Sequence, residues 1–271
     1  MTESEYCSTG FSRSGRTSPI APAFQIPAEA GTTIPETNPH MRRLDQLLSA
    51  LGYCSRREAM AFVKEGRVKL GGVVVKRSDQ RVDSALITVD DEPLEAPDGL
   101  LAMLHKPVGY SCTHSEEEGQ NIYELLPSHW PERNPAVTSV GRLDKDTSGL
   151  LLVTDIGSLV HRYTSPKSDI EKTYLVEVDH ELDSSLIDIF AKGDLMLRSE
   201  DKPCLPAKLE IVSSQSARLT ITEGRYHQVR RMFASQGWHV ETLHRERFGP
   251  YVLGDLAEGE WQMLSLDQVV R

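Results

Sequence analysis

The apolar positions that follow Met41 have helical spacing. They are Leu44, Leu47, Leu48 and Leu51. Residues three and four apart lie on one face of an α-helix, so this spacing predicts a first helix with one apolar face. Gly52 is predicted to end the helix, because glycine readily adopts the left-handed conformation found just beyond helix ends.

A second helix is predicted to begin at Ser55 and to end at Gly66. Ser55 and Glu58 have the spacing of a capping box, in which each side chain accepts a hydrogen bond from the other residue's backbone N–H. The next segment, RVKLGGVVVKR, is typical of a β-hairpin with Gly71 and Gly72 in the turn. This part of the chain therefore predicts a small helix-turn-helix followed by a hairpin.

The remainder of the chain alternates short apolar runs with turn residues. The runs LLAMLHK, GLLLVTD, KTYLVEVD, ARLTITEG and HVETLHRERFG each predict a β-strand, and Pro107 ends the first of them. HQVRRMFASQG predicts a short helix closed by Gly237, and LSLDQVV predicts a helix at the end of the chain. A strand-rich segment with a few helices indicates the α+β fold class.

The first forty residues have a different composition. Nineteen of residues 1–40 are Gly, Pro, Ser or Thr, and apolar periodicity is almost absent. Such a segment buries too little apolar surface to offset the entropy lost on ordering, so we expect a disordered tail. Two alternatives stay open: a transit peptide, which Glu3 and Glu5 weigh against, and a translation start at Met41.

Composition narrows the class of protein. Of 271 residues, 39% are hydrophobic and 26% are charged, as in globular domains. No apolar run approaches the ~20 residues of a membrane span, and the N-terminus lacks the segments of a secretory signal. The four cysteines, Cys7, Cys54, Cys112 and Cys204, lack the paired spacing of zinc ligands. We therefore expect no metal, no disulfide framework, no membrane association and a reducing, cytoplasmic location.

The net charge of −10 disfavours a nucleic-acid partner, but the charge is unevenly distributed. Residues 42–83 contain ten basic and five acidic side chains, a net of +5. Residues 84–100 contain five acidic side chains and no basic one. Because local basic patches attract phosphates, we expect a basic module and an acidic linker within residues 41–100, followed by a second domain at 101–271.

The segment VGRLDKDTSGLLLVTD carries the candidate chemistry. Asp144 and Asp146 stand two positions apart, before the apolar run of a predicted strand. Three interpretations are open: a polar turn held by Thr147 and Ser148, a haloacid dehalogenase phosphatase loop with magnesium, or the seat of another nucleophile. In the phosphatase loop the apolar strand precedes the aspartates, whereas here it follows them, which disfavours that interpretation.

Three segments together resemble the core motifs of the bacterial rRNA pseudouridine synthases. They are GRLDKDTSGLLLVTD, EKTYLVEVD and EGRYHQVRRMF, in the order found in that family. The resemblance covers nearly all of residues 41–271 and looks most like the ribosomal small subunit pseudouridine synthase A (RsuA) type. The basic module at 41–83 is similar to the S4-type RNA-binding domain that precedes the catalytic domain in that family.

The resemblance implies a fold and a reaction. After the S4-like domain we expect a mostly antiparallel mixed sheet. The implied reaction isomerises a specific uridine of small-subunit (16S) rRNA to pseudouridine, after the uridine is flipped out of the RNA. An aspartate nucleophile adds either to ribose C1′ or to the uracil ring. No cofactor is implied, the partner is ribosomal RNA, and the protein is expected to be a monomer.

The family pattern also implies roles for single residues. Asp144 is the nucleophile, Tyr174 stacks on the flipped uracil, and Arg230 is the cation that keeps the carboxylate ionised. Asp146 only holds the turn, and Arg142 helps to displace the flipped nucleotide. Contacts with RNA are expected from Arg142, Arg225, Arg231, Arg42, Arg43, Arg56, Arg57, Lys64 and Arg67.

Several alternatives stay open at this point. Large-subunit (23S) rRNA is a second possible target, because GYCSRREA and GRLDKDTSGLLL are shared with enzymes that act on it. A non-catalytic RNA-binding protein of ribosome assembly is a remote alternative, and it leaves the domain at 101–271 without a role. Arg231 either contacts RNA phosphate or is a solvated surface charge. The strand LHRER either contacts phosphate or is a charged edge strand.

Overall fold

The computed structural model describes residues 41–268, except residues 116, 118 and 166. The tail predicted at 1–40 lies outside the described residues, and so do residues 269–271. Of the predicted C-terminal helix, Leu264 and Ser265 are not helical and Leu266–Gln268 form a single turn of 3-10 helix, whereas its last residues lie outside the described residues.

Two short helices and two small sheets make up the first part of the described chain. The helices are α1, Leu44–Ala50, and α2, Ala59–Lys64. The strands are β1 (Met41–Arg43), β2 (Val68–Leu70), β3 (Val73–Val74), β4 (Arg81–Asp83), β5 (Ile87–Val89) and β6 (Glu92–Pro93). β1 pairs with β4, and the second sheet has the order β3-β2-β5-β6. The leucines of α1 pack with Val68, Val82 and Ile87 in one apolar core.

The hairpin of β2 and β3 turns at the predicted glycines. Gly71 and Gly72 have φ angles of 55° and 82°, which are the positive values that a type I′ hairpin turn requires. The acidic segment after residue 84 is only partly a linker, because β5 and β6 extend this hairpin into the four-stranded sheet. Two of its five acidic residues, Asp90 and Asp91, form the turn between these strands and have positive φ angles.

Both hydrogen bonds of the predicted capping box are present. The backbone N–H of Ser55 donates to Glu58 Oε2 at 2.9 Å, and that of Glu58 donates to Ser55 Oγ at 3.4 Å. Helix α2 nevertheless begins at Ala59, later than predicted. The Ser55 carbonyl accepts from the N–H groups of both Glu58 and Ala59, so the chain makes a tight turn before the regular helix starts.

A mixed sheet dominates the second part of the described chain. Its strands are β7 (Leu101–Lys106), β8 (Thr138–Ser139), β9 (Ser148–Thr154), β10 (Lys172–Val178), β11 (Lys208–Ile211), β12 (Ser216–Ile221), β13 (Val240–Phe248), β14 (Tyr251–Val252) and β15 (Trp261–Met263). The order along the sheet is β11-β12-β10-β13-β9-β7-β15, with β14 on β13 and β8 on β9. Every pair is antiparallel except β13 with β9. All five predicted strands are present.

Apolar clusters cover both faces of the central strands. Leu151 and Val153 of β9 join one cluster, whereas Leu150 and Leu152 join the other. Burial on both faces explains why this strand reads as an unbroken apolar run instead of an alternating one. The helices that flank the sheet are α3 (Gly157–Thr164), α4 (Ser185–Ala191) and α5 (Gln228–Ser235). Of these, only α5 is predicted from the sequence.

The parallel pairing of β9 with β13 depends on Gly149. Parallel pairing places Gly149 of β9 opposite Arg245 of β13. Its φ angle is 111°, and a Cβ atom here would lie 2.4 Å from the carbonyl oxygen of Arg245. Only glycine allows the two backbones to come this close. Since Asp144 lies five residues before Gly149, this contact also sets where the Asp144 loop leaves the sheet.

A buried ion pair connects the segment between the two parts to the large sheet. Arg133 and Asp155 are 2.7 Å apart, and their side chains are 2% and 9% exposed. The Arg133 guanidinium also donates to the carbonyls of Glu95 and Ala96. The indole N–H of Trp130 donates to the Glu95 carboxylate at 2.6 Å. The connecting segment is therefore held by hydrogen bonds on several sides.

The end of α1 contacts the same region directly. The Tyr53 ring stacks on His129, with ring centres 5.5 Å apart. The backbone N–H of Asn134 donates to the Ala50 carbonyl at 2.9 Å. A Cβ atom at Gly52 would lie 2.3 Å from the His129 carbonyl oxygen, so the two backbones touch here. The helical module is thus fixed against the large sheet through both its linker and its first helix.

Candidate active site

A cavity of about 960 Å³ opens beside Asp144. Its wall includes the loop before β9, the residue Tyr174 of β10 and the start of α5. Of the residues predicted to act at the site, Arg142, Asp144, Tyr174 and Arg225 line this cavity. A cavity of this size is within the range of roughly 300–1,000 Å³ that is typical of small-ligand sites.

The loop that carries Asp144 is held through its carbonyl groups. It makes a tight turn in which the Thr147 N–H donates to the Asp144 carbonyl at 3.0 Å. Four other carbonyls in or beside this turn accept hydrogen bonds from elsewhere in the domain. These bonds run from Cys112 Sγ to Leu143, from Gly109 N–H to Lys145, from Arg230 Nη2 to Asp146 and from Lys106 Nζ to Thr147. The loop is therefore rigid even though it is irregular.

Lys106 is a buried side chain that holds this loop, and it was not predicted from the sequence. The side chain is fully buried at the end of β7, and Nζ donates to the carbonyls of Pro107 and Thr147 at 2.9 and 2.7 Å. Burial lowers the pKa of the Lys106 amine, and the nearby Asp146 and Asp144 partly offset this effect.

The polar-turn interpretation of Thr147 and Ser148 is wrong in its details. The Thr147 hydroxyl is buried and has no hydrogen-bond partner among the described residues. The Ser148 hydroxyl instead bonds with His244 Nδ1 on the neighbouring strand β13, at 2.9 Å. Backbone N–H groups and the side chains of Lys106, Arg230 and Cys112 hold the turn, and these hydroxyl groups do not.

The carboxylate of Asp144 meets a histidine that sequence reasoning missed. His227 Nε2 lies 3.4 Å from Asp144 Oδ1, and the two side chains are 38% and 35% exposed, respectively. His227 precedes α5 and has a left-handed backbone with a φ angle of 47°, a conformation in which histidine is more common than most residues. The ring of Tyr226 stacks on it at 3.9 Å.

Arg230 contacts the other aspartate. Its Nη2 lies 3.0 Å from Asp146 Oδ2, and Nη1 donates to the Val240 carbonyl at 2.8 Å. The expected pair of Arg230 with Asp144 is therefore replaced by a pair with Asp146. Both aspartates line the cavity, but the Asp146 carboxylate lies against Arg230 of α5, whereas the Asp144 carboxylate lies beside His227.

Tyr174 lies between the cavity and a buried arginine. The ring is 8% exposed and forms part of the cavity wall. The guanidinium of Arg245 lies over this ring at 6.0 Å, and it is itself only 2% exposed. Arg245 is thus part of the interior of the sheet, and β13 lies between β10 and β9, which corrects the expectation that the LHRER strand is a charged edge.

Arg225 and Arg231, two of the predicted RNA contacts, are engaged within the protein. Arg225 pairs with Glu223 at 3.0 Å, and Arg231 pairs with Glu200 at 2.8 Å. Both also donate to backbone carbonyls of the segment around Glu200. They tie that segment to the start of α5, so neither guanidinium is an isolated surface charge, and their contact with RNA stays a prediction. Arg142, by contrast, is exposed at the cavity wall.

The six basic residues predicted for RNA contact in the first module divide into two groups. Arg42, Arg43 and Arg67 form ion pairs with Asp98, Asp45 and Asp90, respectively. In the described part of the chain, Arg56, Arg57 and Lys64 are exposed and form no ion pair. The second group is therefore the better candidate for phosphate contact.

Within residues 41–268, apart from the three omitted positions, no three His, Cys, Asp or Glu side chains are grouped as metal ligands would be. None of the helices in the same residues has the length and apolar character that a membrane crossing requires.

Comparison with known proteins identifies the family. The family model for RNA pseudouridylate synthase matches residues 101–235, and the S4 domain model matches residues 42–85. Ribosomal small subunit pseudouridine synthase A of Pasteurella multocida (strain Pm70) is 41% identical over 230 residues, which are 84% of this chain and 97% of that protein. This chain belongs to the RNA pseudouridine synthase family.

A second relative and a solved structure support the same family assignment. Ribosomal small subunit pseudouridine synthase A of Escherichia coli (strain K12) is 38% identical over 232 residues, covering 84% of this chain and 98% of the relative. A crystal structure of a pseudouridylate synthase is 38% identical and has a TM-score of 0.58, covering 83% of this chain and 96% of that one. The predicted fold class, an S4 domain followed by a pseudouridine synthase domain, is confirmed. The exact boundary at residue 100 stays a prediction.

Proposed function

We propose that this synthase isomerises a uridine of small-subunit ribosomal RNA to pseudouridine, with Asp144 as the nucleophile. The observation that carries the proposal is the position of Asp144 on the wall of a cavity of about 960 Å³, on a loop fixed by buried donors. The small-subunit target is supported by relatives from Pasteurella multocida and Escherichia coli that carry that name and are 41% and 38% identical.

The proposed reaction is an isomerisation and needs no other reactant. The bond between uracil N1 and ribose C1′ breaks, and a bond between uracil C5 and C1′ forms. The proton on C5 leaves and N1 gains a proton, so the atoms and electrons balance within one nucleotide. The Asp144 carboxylate adds to C1′ or to the uracil ring and is released when the new bond has formed.

The remaining residues of the cavity suit a nucleotide that has left its helix. Extracting a base costs a few kcal/mol of stacking and pairing. In our proposal the flipped uracil stacks on Tyr174, whose ring lies at the cavity wall, and Arg142 occupies the space that the base vacates. His227 lies 3.4 Å from Asp144, where its ring, if protonated, stabilises the carboxylate. The S4 domain supplies the binding energy through phosphate contacts.

Mapping pseudouridines in ribosomal RNA tests this proposal. A strain that lacks the gene is compared with the parent and with a strain complemented by the wild-type gene or by an Asp144→Asn gene. We expect one pseudouridine in small-subunit rRNA to disappear on deletion, to return with the wild-type gene and to stay absent with the variant. A loss confined to large-subunit rRNA would overturn the target, and an unchanged map would overturn the proposed rRNA substrate.

A double substitution tests the role of the S4 domain. In the variant Arg56→Ala/Arg57→Ala, RNA binding should weaken, and the log–log slope of affinity against salt should flatten by about 2, because two phosphate contacts are lost. Both side chains are exposed in the turn before α2. Basic groups at a helix N-terminus oppose the helix dipole, so stability does not explain them. Affinity is measured at several salt concentrations, together with the single-turnover rate.

The matched control removes two exposed lysines from the other domain. Lys192 follows α4, and Lys208 begins β11, so Lys192→Ala/Lys208→Ala changes the net charge equally. We expect this control to keep the wild-type salt slope. A slope that stays unchanged in the Arg56/Arg57 variant would show that these arginines are ordinary solvated charges. A lost rate at saturating RNA would show that the S4 domain also positions the uridine.

A further inference from the structure

A second cavity adjoins the Asp144 cavity at Arg142 and Tyr174. Its volume is about 320 Å³. Arg142, Tyr174 and Arg225 line both cavities, so the two spaces meet at these side chains. The rest of the second cavity is lined largely by the end of α3, the start of β10 and strand β13. These elements contribute the cations Lys172 and Arg245.

Arg245 brings a buried and incompletely bonded charge to this cavity. Its side chain is 2% exposed, and Nε donates to the Leu150 carbonyl at 2.7 Å. Nη2 is buried without a hydrogen-bond partner, and no carboxylate pairs with this arginine in the part of the chain that the structure describes. The ring of Phe248, 4.8 Å from the guanidinium, offsets part of the charge but accepts no conventional hydrogen bond.

Lys172 adds a second positive charge beside the first. Its Nζ donates to the carbonyls of Ile170 and Thr222, at 3.0 and 3.3 Å. The charged groups that face it are Arg245 from β13 and Glu223 from the loop after β12. Burial, and then repulsion by Arg245, lower the pKa of the Lys172 amine to about 8.

The acidic residue of this cavity is already engaged. The carboxylate of Glu223 pairs with Arg225 at 3.0 Å and accepts hydrogen bonds from Gln228 and from the Leu205 N–H. It therefore neutralises Arg225, and an excess of positive charge remains at Lys172 and Arg245. Buried cations without a paired anion are costly, and polar groups left unbonded inside proteins often mark a ligand site.

We propose that the cavity lined by Lys172 and Arg245 is a phosphate-binding subsite. The inference rests on the proposed function in one respect: the phosphate is expected to belong to the RNA chain next to the uridine that enters the Asp144 cavity, since the two spaces adjoin. A free phosphate group has the same recognition chemistry, and the experiment separates these sources. A bound phosphate would pair with Lys172, compensate Arg245 and hold the RNA backbone against the back of Tyr174.

The first arm of the test measures binding without turnover. Dissociation constants are measured for inorganic phosphate and for a short RNA with the target uridine, at constant ionic strength and near pH 7. Lys172→Met is compared with the wild type and with Lys208→Met, which removes an exposed lysine of the same sheet; the RNA arm uses the Asp144→Asn background. We expect Lys172→Met to bind at least about tenfold more weakly, and Lys208→Met to bind like the wild type.

The pattern of losses identifies the source of the phosphate. If both probes lose affinity, the subsite accepts any phosphate group, whereas a loss with RNA alone assigns it to the RNA backbone. Equal affinities of Lys172→Met and Lys208→Met for both probes would overturn the subsite. This outcome is independent of the proposed function, because pseudouridine formation by the wild type is measured separately.

A second arm does not depend on the folding of Lys172→Met. Dimethyl phosphate keeps one negative charge between pH 7 and pH 9, so any pH dependence of its binding arises from the protein. The pKa of Lys172 is about 8, and the amine loses its charge as the pH rises through that value. We expect the wild type to bind this probe more weakly at pH 9 than at pH 7, and Lys172→Arg, which stays charged, to show no such change. Identical pH profiles for the two proteins would also overturn the proposal.

Discussion

The variant Asp144→Asn is expected to form pseudouridine at least about a thousandfold more slowly than the wild type, with an unchanged fold and unchanged RNA affinity. An amide has nearly the shape of the carboxylate but is a far weaker nucleophile. The fold should tolerate the change, because the bonds that hold this loop involve backbone carbonyls. Among the described residues, the ion-pair contact of the Asp144 side chain is with the partly exposed His227.

Single-turnover kinetics with saturating RNA measure this effect, and thermal unfolding and RNA affinity serve as controls. Asp146→Asn is the matched variant, because it makes the same change two residues away. Arg230 donates to the backbone carbonyl of Asp146 as well as to its carboxylate, so that contact partly survives. We expect Asp146→Asn to keep much more activity. The reverse ranking, or activity of Asp144→Asn within tenfold of the wild type, would show that the wrong carboxylate has been chosen.

The variant Gly149→Ala should lose stability and activity together. An added methyl group would lie 2.4 Å from the Arg245 carbonyl oxygen, on a backbone with a φ angle of 111°. Relieving that clash requires β9 and β13 to separate at their parallel contact. We expect a cost of about 3 kcal/mol or more, which corresponds to a melting temperature lower by roughly 6–12 °C. Activity should fall as well, because the Asp144 loop leaves the sheet at this point.

Gly237→Ala separates backbone strain from the clash. Gly237 has a φ angle of 101°, but a Cβ atom there would meet no atom within 4 Å. This control should cost about 1–2 kcal/mol, since only the unfavourable backbone conformation is involved. Similar melting temperatures for the two variants would show that β9 and β13 move apart easily, which would contradict the tight parallel contact.

The elements that the sequence predicts well are those with a strong apolar pattern. Helix α1 has three buried leucines on one face, and β9 is apolar on both faces. Helices α3 and α4 were missed because each buries only two side chains, Leu159 with Tyr163 and Leu186 with Phe190. Two buried positions in one short helix are too few to establish a period. The pairing of β13 with β9 involves residues almost a hundred positions apart, so no local pattern can reveal it.

At the candidate site, too, some features were predicted from the sequence and others were not. Asp144, Arg142 and Tyr174 lie in long motifs, and the structure brings them to one cavity. Charge pairing was predicted less well, because it depends on which carboxylate a turn presents to which guanidinium. Arg230 contacts Asp146, and His227 contacts Asp144, although either arrangement fits the sequence. Lys106 was missed since its role depends on carbonyl groups, which every sequence contains and no side-chain pattern shows.

The attachment of the S4 domain has a consequence for how a target is chosen. Arg133, Asp155 and the close approach of Gly52 to His129 fix the angle and spacing between the arginines before α2 and the carboxylate of Asp144. These contacts hold the two regions at a fixed separation. Under the proposed function, in which the arginines before α2 contact phosphate and Asp144 reacts with the uridine, we expect the protein to select a uridine by its distance from the RNA segment that the S4 domain binds. A suitable base sequence at another distance from that segment would then not be modified.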